Sequence, residues 1–315
     1  MIQEKSDRLI PHDLAGVRLD LALVELFPDF SRARLQHWVK NGQIRVNGET
    51  WRNKDKVAGG EDVVLQYEPE NAVETFQPES IPLDIVFEDD DLLVLNKPPG
   101  LVVHPGAGNW SGTLLNALLY RFPELQSIPR AGIVHRLDKQ TSGLMVVART
   151  LQAHKSIVDA LQLREVSREY IALVEGKLIA GGCVEEPIGR HPVERKRMAV
   201  RENGKPAVTH YRINRRYQSH TLLNVKLDTG RTHQIRVHMA HIHHSIVGDP
   251  VYGNRRRVPK GMKEADLLAL RGFRRQALHA KRLGLVHPGS GEAVSWEAPI
   301  PDDFTELLRM LEDYT

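Results

Sequence analysis

The sequence predicts an α+β protein with two domains: a small N-terminal α+β domain over residues 17–77 and a larger domain over residues 78–315, built on a mixed, largely antiparallel sheet. Three observations carry this. The 315 residues are about twice the length of an average domain. The stretch EPENAVETFQPESIP, residues 68–82, is acidic, contains prolines and lacks apolar periodicity, so it reads as a linker. After it, β-prone runs outnumber helical ones and do not alternate regularly with them, unlike the pattern of a parallel sheet. Hydrophobic residues make up 41% and charged residues 26%, which is the composition of a folded chain rather than a disordered one.

In the first domain, Leu19, Ala22, Leu23 and Leu26 repeat at helical spacing. A second helix starts at Ser31, a good N-cap, and stops before Gly42, with Leu35, Trp38 and Val39 on its apolar face. Asn47-Gly48 between short β-prone segments is a hairpin signal, and VAGGEDVVLQY supplies a further strand after its glycine pair. Beyond the linker, strands are expected in DIVFEDDDLLVLNK, SGLMVVART, REYIALVEGK, AVTHYRINRRY and TLLNVKLDTG. YIALV is apolar on both faces, so its sheet is covered on both sides. Leu151, Ile157, Val158 and Leu161 predict a helix between the second and third of these strands, and Ile235, Met239 and Ile242 another after Thr229-Gly230. Residues 98–120 hold no Asp, Glu, Lys or Arg, but Pro98, Pro99, Pro105 and several glycines interrupt them. They read as a buried loop leading into a short helix around Leu114, not as a membrane span.

The net charge is only +3, but residues 190–282 hold 22 of the 43 Lys and Arg and 6 of the 40 acids, leaving the rest of the chain acidic. So long an unbalanced stretch predicts a polyanion partner, nucleic acid above all, although a short run such as Arg255, Arg256 and Arg257 reads equally well as a solvated loop. The single cysteine, Cys183, excludes an intramolecular disulfide and the zinc sites that need paired cysteines. It fits a reducing compartment. With no apolar core for a signal peptide in MIQEKSDRLIPHD, a cytoplasmic protein is expected.

The sequence has no GxxxxGK[ST] phosphate loop, GxGxxG, GxSxG or HExxH, so no cofactor is expected. His238, His241 and His244 are spaced so that a helix could gather some of them. No acid or thiolate completes a ligand set there, and neutral imidazoles serve equally as RNA hydrogen-bonders, so no metal is assigned. The informative segment is HRLDKQTSGLMVVART. Read locally, Asp138 closes an Asx-turn near Gln140. Read with Tyr170 in SREYIALVEG and Arg231 in LDTGRTHQIRVHM, it becomes a candidate catalytic carboxylate at the edge of an apolar strand.

HRLDKQTSGL, REY and GRTHQIRVHM, together with NKPPGLVVHPG at residues 96–106, follow the order and spacing of the RluA family of RNA pseudouridine synthases, which this chain resembles from residue 17 to 300. SRARLQHWVKNGQIRVNG resembles the S4 RNA-binding domain, although acids outnumber bases in the domain as a whole. The resemblance implies an isomerase that breaks the N1 glycosidic bond of a uridine, turns the uracil and rejoins it through C5. HMAHIHHSIVGDPVYG and the added S4 domain point to the branch that acts on a hairpin loop of large-subunit ribosomal RNA at the subunit interface. Expected partners are that RNA or a pre-ribosomal particle, with no membrane and a monomeric enzyme; the alternatives are the same chemistry on transfer RNA or another ribosomal RNA site, a non-catalytic RNA-binding assembly factor, or a metal-dependent nuclease using the histidine-rich segment.

The resemblance assigns roles that chemistry supports. Asp138 attacks C1′ or removes a proton on the way to a glycal. Arg231 keeps that carboxylate ionised with a bidentate grip that Lys could not copy. Tyr170 stacks on the uracil and takes the C5 proton. Arg136 lies two residues before Asp138 in an extended segment, and it fills the gap left by the extruded nucleotide, the other reading being an ion pair or phosphate contact. Arg32, Arg34, Lys40 and Arg45 are the expected RNA contacts of the S4 domain.

Overall fold

A computed structural model describes residues 4–28, 30, 32–67, 76–106, 109–194, 197–253 and 257–315. The chain divides into two compact units, Met1–Thr75 and Phe76–Thr315.

The first unit holds β1 (Glu4–Leu9), α1 (Leu19–Leu26), α2 (Arg32–Lys40), β2 (Ile44–Val46) and β3 (Asp62–Tyr67), with an antiparallel sheet in the order β1-β3-β2. Its core gathers the predicted apolar positions Leu19, Leu23, Leu35, Trp38 and Val39 around Ile44 and Leu65. Asn47 and Gly48 both have positive φ, as the tight turn requires, but the chain returns only as far as one bridge, Val46 to Glu49. β2 instead finds its partner in the later strand β3. Ser31, the expected N-cap, lies outside the described residues, as do residues 68–75 of the expected linker and Arg255 and Arg256. The first strand, β1, has no clear signal in the sequence.

The second unit runs β4 (Ile85–Glu88), β5 (Leu92–Lys97), α3 (Leu114–Arg121), β6 (Ser142–Ala148), α4 (Leu151–Gln162), β7 (Ser167–Glu175), β8 (Gly182–Glu185), β9 (Ile188–Arg190), β10 (Met198–Val200), β11 (Val208–Arg216), β12 (His220–Leu227), α5 (Gln234–His241), α6 (Glu264–Gly272), β13 (Leu278–Val286), β14 (Ala293–Glu297) and α7 (Asp302–Glu312). Nine of these strands form one sheet, in the order β4-β5-β6-β13-β7-β12-β11-β8 with β14 on β13. Its strand pairs are antiparallel except β6–β13, so the sheet is mixed and mostly antiparallel, as the sequence predicts.

Both faces of the sheet are covered, and alternation along β5 shows how. Leu93 and Leu95 share a buried cluster with Leu114, Leu115 and Leu118 of α3, whereas Leu92 and Val94 join Ala153 and Ile157 of α4. The two helices therefore lie on opposite faces. α3 is fixed at its start by a capping box between Thr113 and Asn116, and α4 by Thr150, whose Oγ1 accepts from the Ala153 backbone at 3.0 Å. The loop before α3 is only partly buried: Val103 is buried, but residues 109–112 are exposed and Trp110 is 66% accessible.

Candidate active site

The loop between α3 and β6 carries Asp138. Its local turn is closed by the backbone, with Thr141 N–H donating to the Asp138 carbonyl at 3.0 Å, which leaves the carboxylate free of the Asx-turn role. The loop feeds straight into β6, where Gly143 pairs in parallel with Ala280 of β13. A side chain at Gly143 would stand 2.2 Å from the Ala280 carbonyl oxygen, and the residue has φ +112, so only glycine allows this approach. On the other side, Lys97 at the end of β5 is 1% exposed and donates through Nζ to the carbonyls of Pro98, Leu101 and Lys139 at 2.8–3.1 Å. Burial pushes its pKa down to about 7, against the pull of the Asp138 charge.

The partner of Asp138 is Arg236, not Arg231. Arg236 Nη1 donates to Asp138 Oδ2 at 2.9 Å, and its Nε and Nη2 grip both oxygens of Asp249 at 2.7 and 2.9 Å. The Arg236 side chain is 5% exposed, the Asp249 side chain is fully buried and that of Asp138 is 17% exposed. One guanidinium thus bridges a buried carboxylate and one that faces solvent. Burial alone would raise the pKa of Asp249, but the Arg236 bonds outweigh it and hold the group below the usual carboxylate range. Arg236 also lies 4.9 Å above the Tyr252 ring. Arg231 turns elsewhere, its Nε donating to the Pro206 carbonyl at 3.0 Å.

The reason lies in the turn before α5. Gln234 accepts from Thr229 Oγ1 at 2.8 Å and from Arg231 N–H at 3.0 Å, while its Nε2 donates to the Val208 carbonyl and Thr209 Oγ1. That clamp fixes the backbone of Arg231 and starts the helix that carries Arg236 inward. The sequence holds no signal that singles out Arg236, since its neighbours Ile235 and Val237 point about 100° to either side of it on the helix, and none for Asp249.

His233 is the third neighbour of Asp138, with Nε2 3.8 Å from Oδ1. Burial lowers its pKa even though Asp138 opposes the shift, so the ring is neutral near pH 7. Tyr252 Oη accepts from Met198 N–H at 2.8 Å and lies 2.8 Å from His233 Nδ1. With the phenol donating to Nδ1, the imidazole proton would sit on Nε2, facing Asp138.

Tyr170 is a buried residue of β7, opposite Val225 of β12 and Ala280 of β13. Burial raises its pKa, with opposing contributions from Arg168 and Asp138, so the phenol is neutral and within electrostatic reach of both charges. Arg136 is exposed, Leu137 is buried and Asp138 is partly exposed, the alternation expected of an extended segment. Arg136 has no hydrogen-bond or ion-pair partner among the described residues. Its charge and that of Arg130 reinforce burial in holding His104 down at about 4.

The histidine-rich segment does not gather its rings. α5 ends at His241, before His244. His238 is bonded to Thr209 Oγ1 and the Glu186 carbonyl, and His244 to the Glu175 carbonyl. In the first unit, Arg32 pairs with the fully buried Asp20 at 2.7 Å, while Lys40 and Arg45 are exposed. The side chain of Arg34 lies outside the described residues.

Comparison with known proteins adds the family. The RNA pseudouridylate synthase family matches residues 91–241, and the S4 domain matches residues 17–64. Human RNA pseudouridylate synthase domain containing 4 aligns with a TM-score of 0.58 at 26% identity, covering 73% of this chain and 93% of that one. Human RNA pseudouridylate synthase domain containing 1 gives 0.54 at 27%, with 74% and 96% covered. The fold is that of a pseudouridine synthase, an isomerase. Ribosomal large subunit pseudouridine synthase D of Escherichia coli O6:H1 is 57% identical over 297 residues, covering 94% of this chain and 91% of that protein. The enzyme of the same name from Xanthomonas campestris is 53% identical over 305 residues, with 97% and 92% covered. The chain belongs to this family of ribosomal large subunit pseudouridine synthases D.

Proposed function

We propose that the protein converts uridines of large-subunit ribosomal RNA to pseudouridine, in a hairpin loop at the subunit interface, as a cytoplasmic monomer. Residues 17–77 act as the S4 RNA-binding domain and residues 78–315 as the catalytic domain. The observation that carries this reading is the Asp138 carboxylate, partly open to solvent and tethered through one oxygen to a buried arginine. Asp138 meets C1′, or takes the 2′ proton, as the glycosidic bond breaks. Arg236 takes the part that the sequence suggests for Arg231, donating to the carboxylate while Asp249 holds Arg236 in place. The neutral His233 offers its Nε2 proton to the second oxygen.

Tyr170 presents its ring to the uracil; because its phenol stays protonated, it relays the C5 proton rather than storing it. Arg136, unpartnered and exposed, enters the RNA as the uridine leaves its stack. Arg231, on the turn beside the pocket, contacts RNA. In the S4 domain Arg34, Lys40 and Arg45 meet RNA, and Arg32 does so with the half of its side chain that Asp20 leaves open.

The test is to incubate the protein with total RNA from a strain lacking the gene and map pseudouridines by carbodiimide-dependent reverse-transcription stops. New stops in large-subunit RNA that vanish with Asp138→Asn support the reading. Stops confined to transfer RNA, or none, overturn it.

A further inference from the structure

Arg168 stands apart among the buried arginines of the catalytic unit. It is 7% exposed, its Nε is fully buried without a hydrogen-bond partner, and no acid pairs with it among the described residues. Other buried arginines differ: Arg236 holds Asp138 and Asp249, and Arg275 holds Asp303 through two bonds of 2.6 and 2.7 Å. A buried, unpaired guanidinium is costly, and folding gains nothing from keeping it.

Its position suggests what offsets the cost. Arg168 lies two residues before Tyr170 on β7, so the two side chains share one face of the sheet. Its Nη1 lies flush against the GRTHQ turn, only 2.7 Å from where a Cβ would stand on Gly230. Two titratable groups that feel its charge offer none in return: burial holds His135 neutral with a pKa of about 3, and the Tyr170 phenol is neutral.

The reaction itself creates an anion here. When N1–C1′ breaks, its electron pair leaves with the uracil, whether the Asp138 carboxylate bonds to C1′ or takes the 2′ proton. The resulting uracil anion then uses that charge to form the C5–C1′ bond, as the Asp138–C1′ bond breaks or as Asp138 returns its proton to C2′, and the proton shed by C5 ends on N1, so nothing is gained or lost overall. We infer that Arg168 is the catalytic group that receives this charge, donating hydrogen bonds to the departing uracil beside Tyr170. The inference rests on the pocket of Asp138 and Tyr170 being the uridine pocket.

Single-turnover rates of N1–C1′ cleavage by Arg168→Gln, on hairpin RNA carrying uridine or 5-fluorouridine at the target, test it; cleavage is the step compared because a C5 fluorine leaves no proton to shed afterwards. Fluorine makes the departing base more acidic, so that it needs less help with its charge. The expected result is a rate loss of about 100-fold on uridine RNA, a clearly smaller loss on 5-fluorouridine RNA, unchanged RNA affinity, and a melting temperature at or above that of the wild type. Arg168→Lys should recover part of the rate. Equal losses on both RNAs, or weaker binding with an unchanged rate as a phosphate contact would give, overturn it. So does a lowered melting temperature with no rescue by Lys, which is the mark of a structural residue. Failure of the pocket assignment is separate, since it would appear as activity retained by Asp138→Asn.

Discussion

Arg236 Nη1 stands 2.9 Å from Asp138 Oδ2, while Arg231, five residues earlier on the same segment, donates to the Pro206 carbonyl. Both arginines belong to one motif, and only the one inside the helix reaches the carboxylate. Substitutions should therefore separate them. Arg236→Lys cannot span Asp138 and Asp249 together, and turnover should fall by at least about 100-fold. Arg231→Lys keeps a charge on the surface and should stay within roughly threefold of wild type. Steady-state rates of the two variants on one hairpin RNA check the order.

Asp138→Asn removes a charge and almost no volume. Pseudouridine formation should disappear while RNA affinity, measured by filter binding, stays within about twofold of wild type. Residual turnover within about tenfold of wild type would contradict the role of this residue.

Asp249→Asn strips Arg236 of its bidentate partner in a fully buried position. Breaking a buried pair from one side costs about 3 kcal/mol or more, so the midpoint of urea unfolding should fall along with activity. An Asp249→Asn enzyme of wild-type stability would show that Asp138 alone anchors Arg236.

His279 makes stability depend on pH. It is fully buried between Ser142 Oγ and the Ala298 carbonyl, and burial brings its pKa down to about 4. The unfolded chain binds this proton near pH 6.5 and the folded one does not, so the contribution of His279 is complete above about 6.5 and is lost as the pH falls towards 4. The contribution at stake is about 3 kcal/mol. Unfolding curves at about pH 7.5 and pH 5 should show a loss that His104 and His135 share, and His279→Gln should make it smaller.

Removal of residues 1–75 should weaken binding to long ribosomal RNA more than it slows turnover on a short hairpin. The logarithm of affinity should also fall less steeply with salt, because the contacts of Lys40 and Arg45 are gone. Equal salt slopes for the full and shortened chains would remove those residues from the interface.

Much of the fold is legible in the sequence, and the rest is hidden for physical reasons. β4, β5, β6, β7, β11 and β12 announce themselves through apolar runs bounded by turns, and α4 through its spacing, whereas the short β8, β9 and β10 do not. β13 and β14 give no such signal, because LHAKRLGLV mixes charges into a strand whose edges are paired on both sides. Asn47-Gly48 does form its turn, but the partner of the strand before it is decided by the three-stranded sheet rather than by the turn. Asp138, Tyr170 and Arg136 stand out by motif. The sequence favours Arg231 over Arg236 because spacing along the chain cannot tell which of two arginines a helix will turn inward. Arg168 and Lys97 are invisible for a related reason, since it is burial, not residue type, that sets them apart.

Lys97, Asp138, Arg168, Tyr170, His233, Arg236 and Asp249 all fall in the unit Phe76–Thr315, and none in Met1–Thr75. On the proposed function, chemistry and address would be written in separate modules. A lineage that exchanged or shed the leading module would then point the same reaction chamber at a different transcript, with none of its side chains altered.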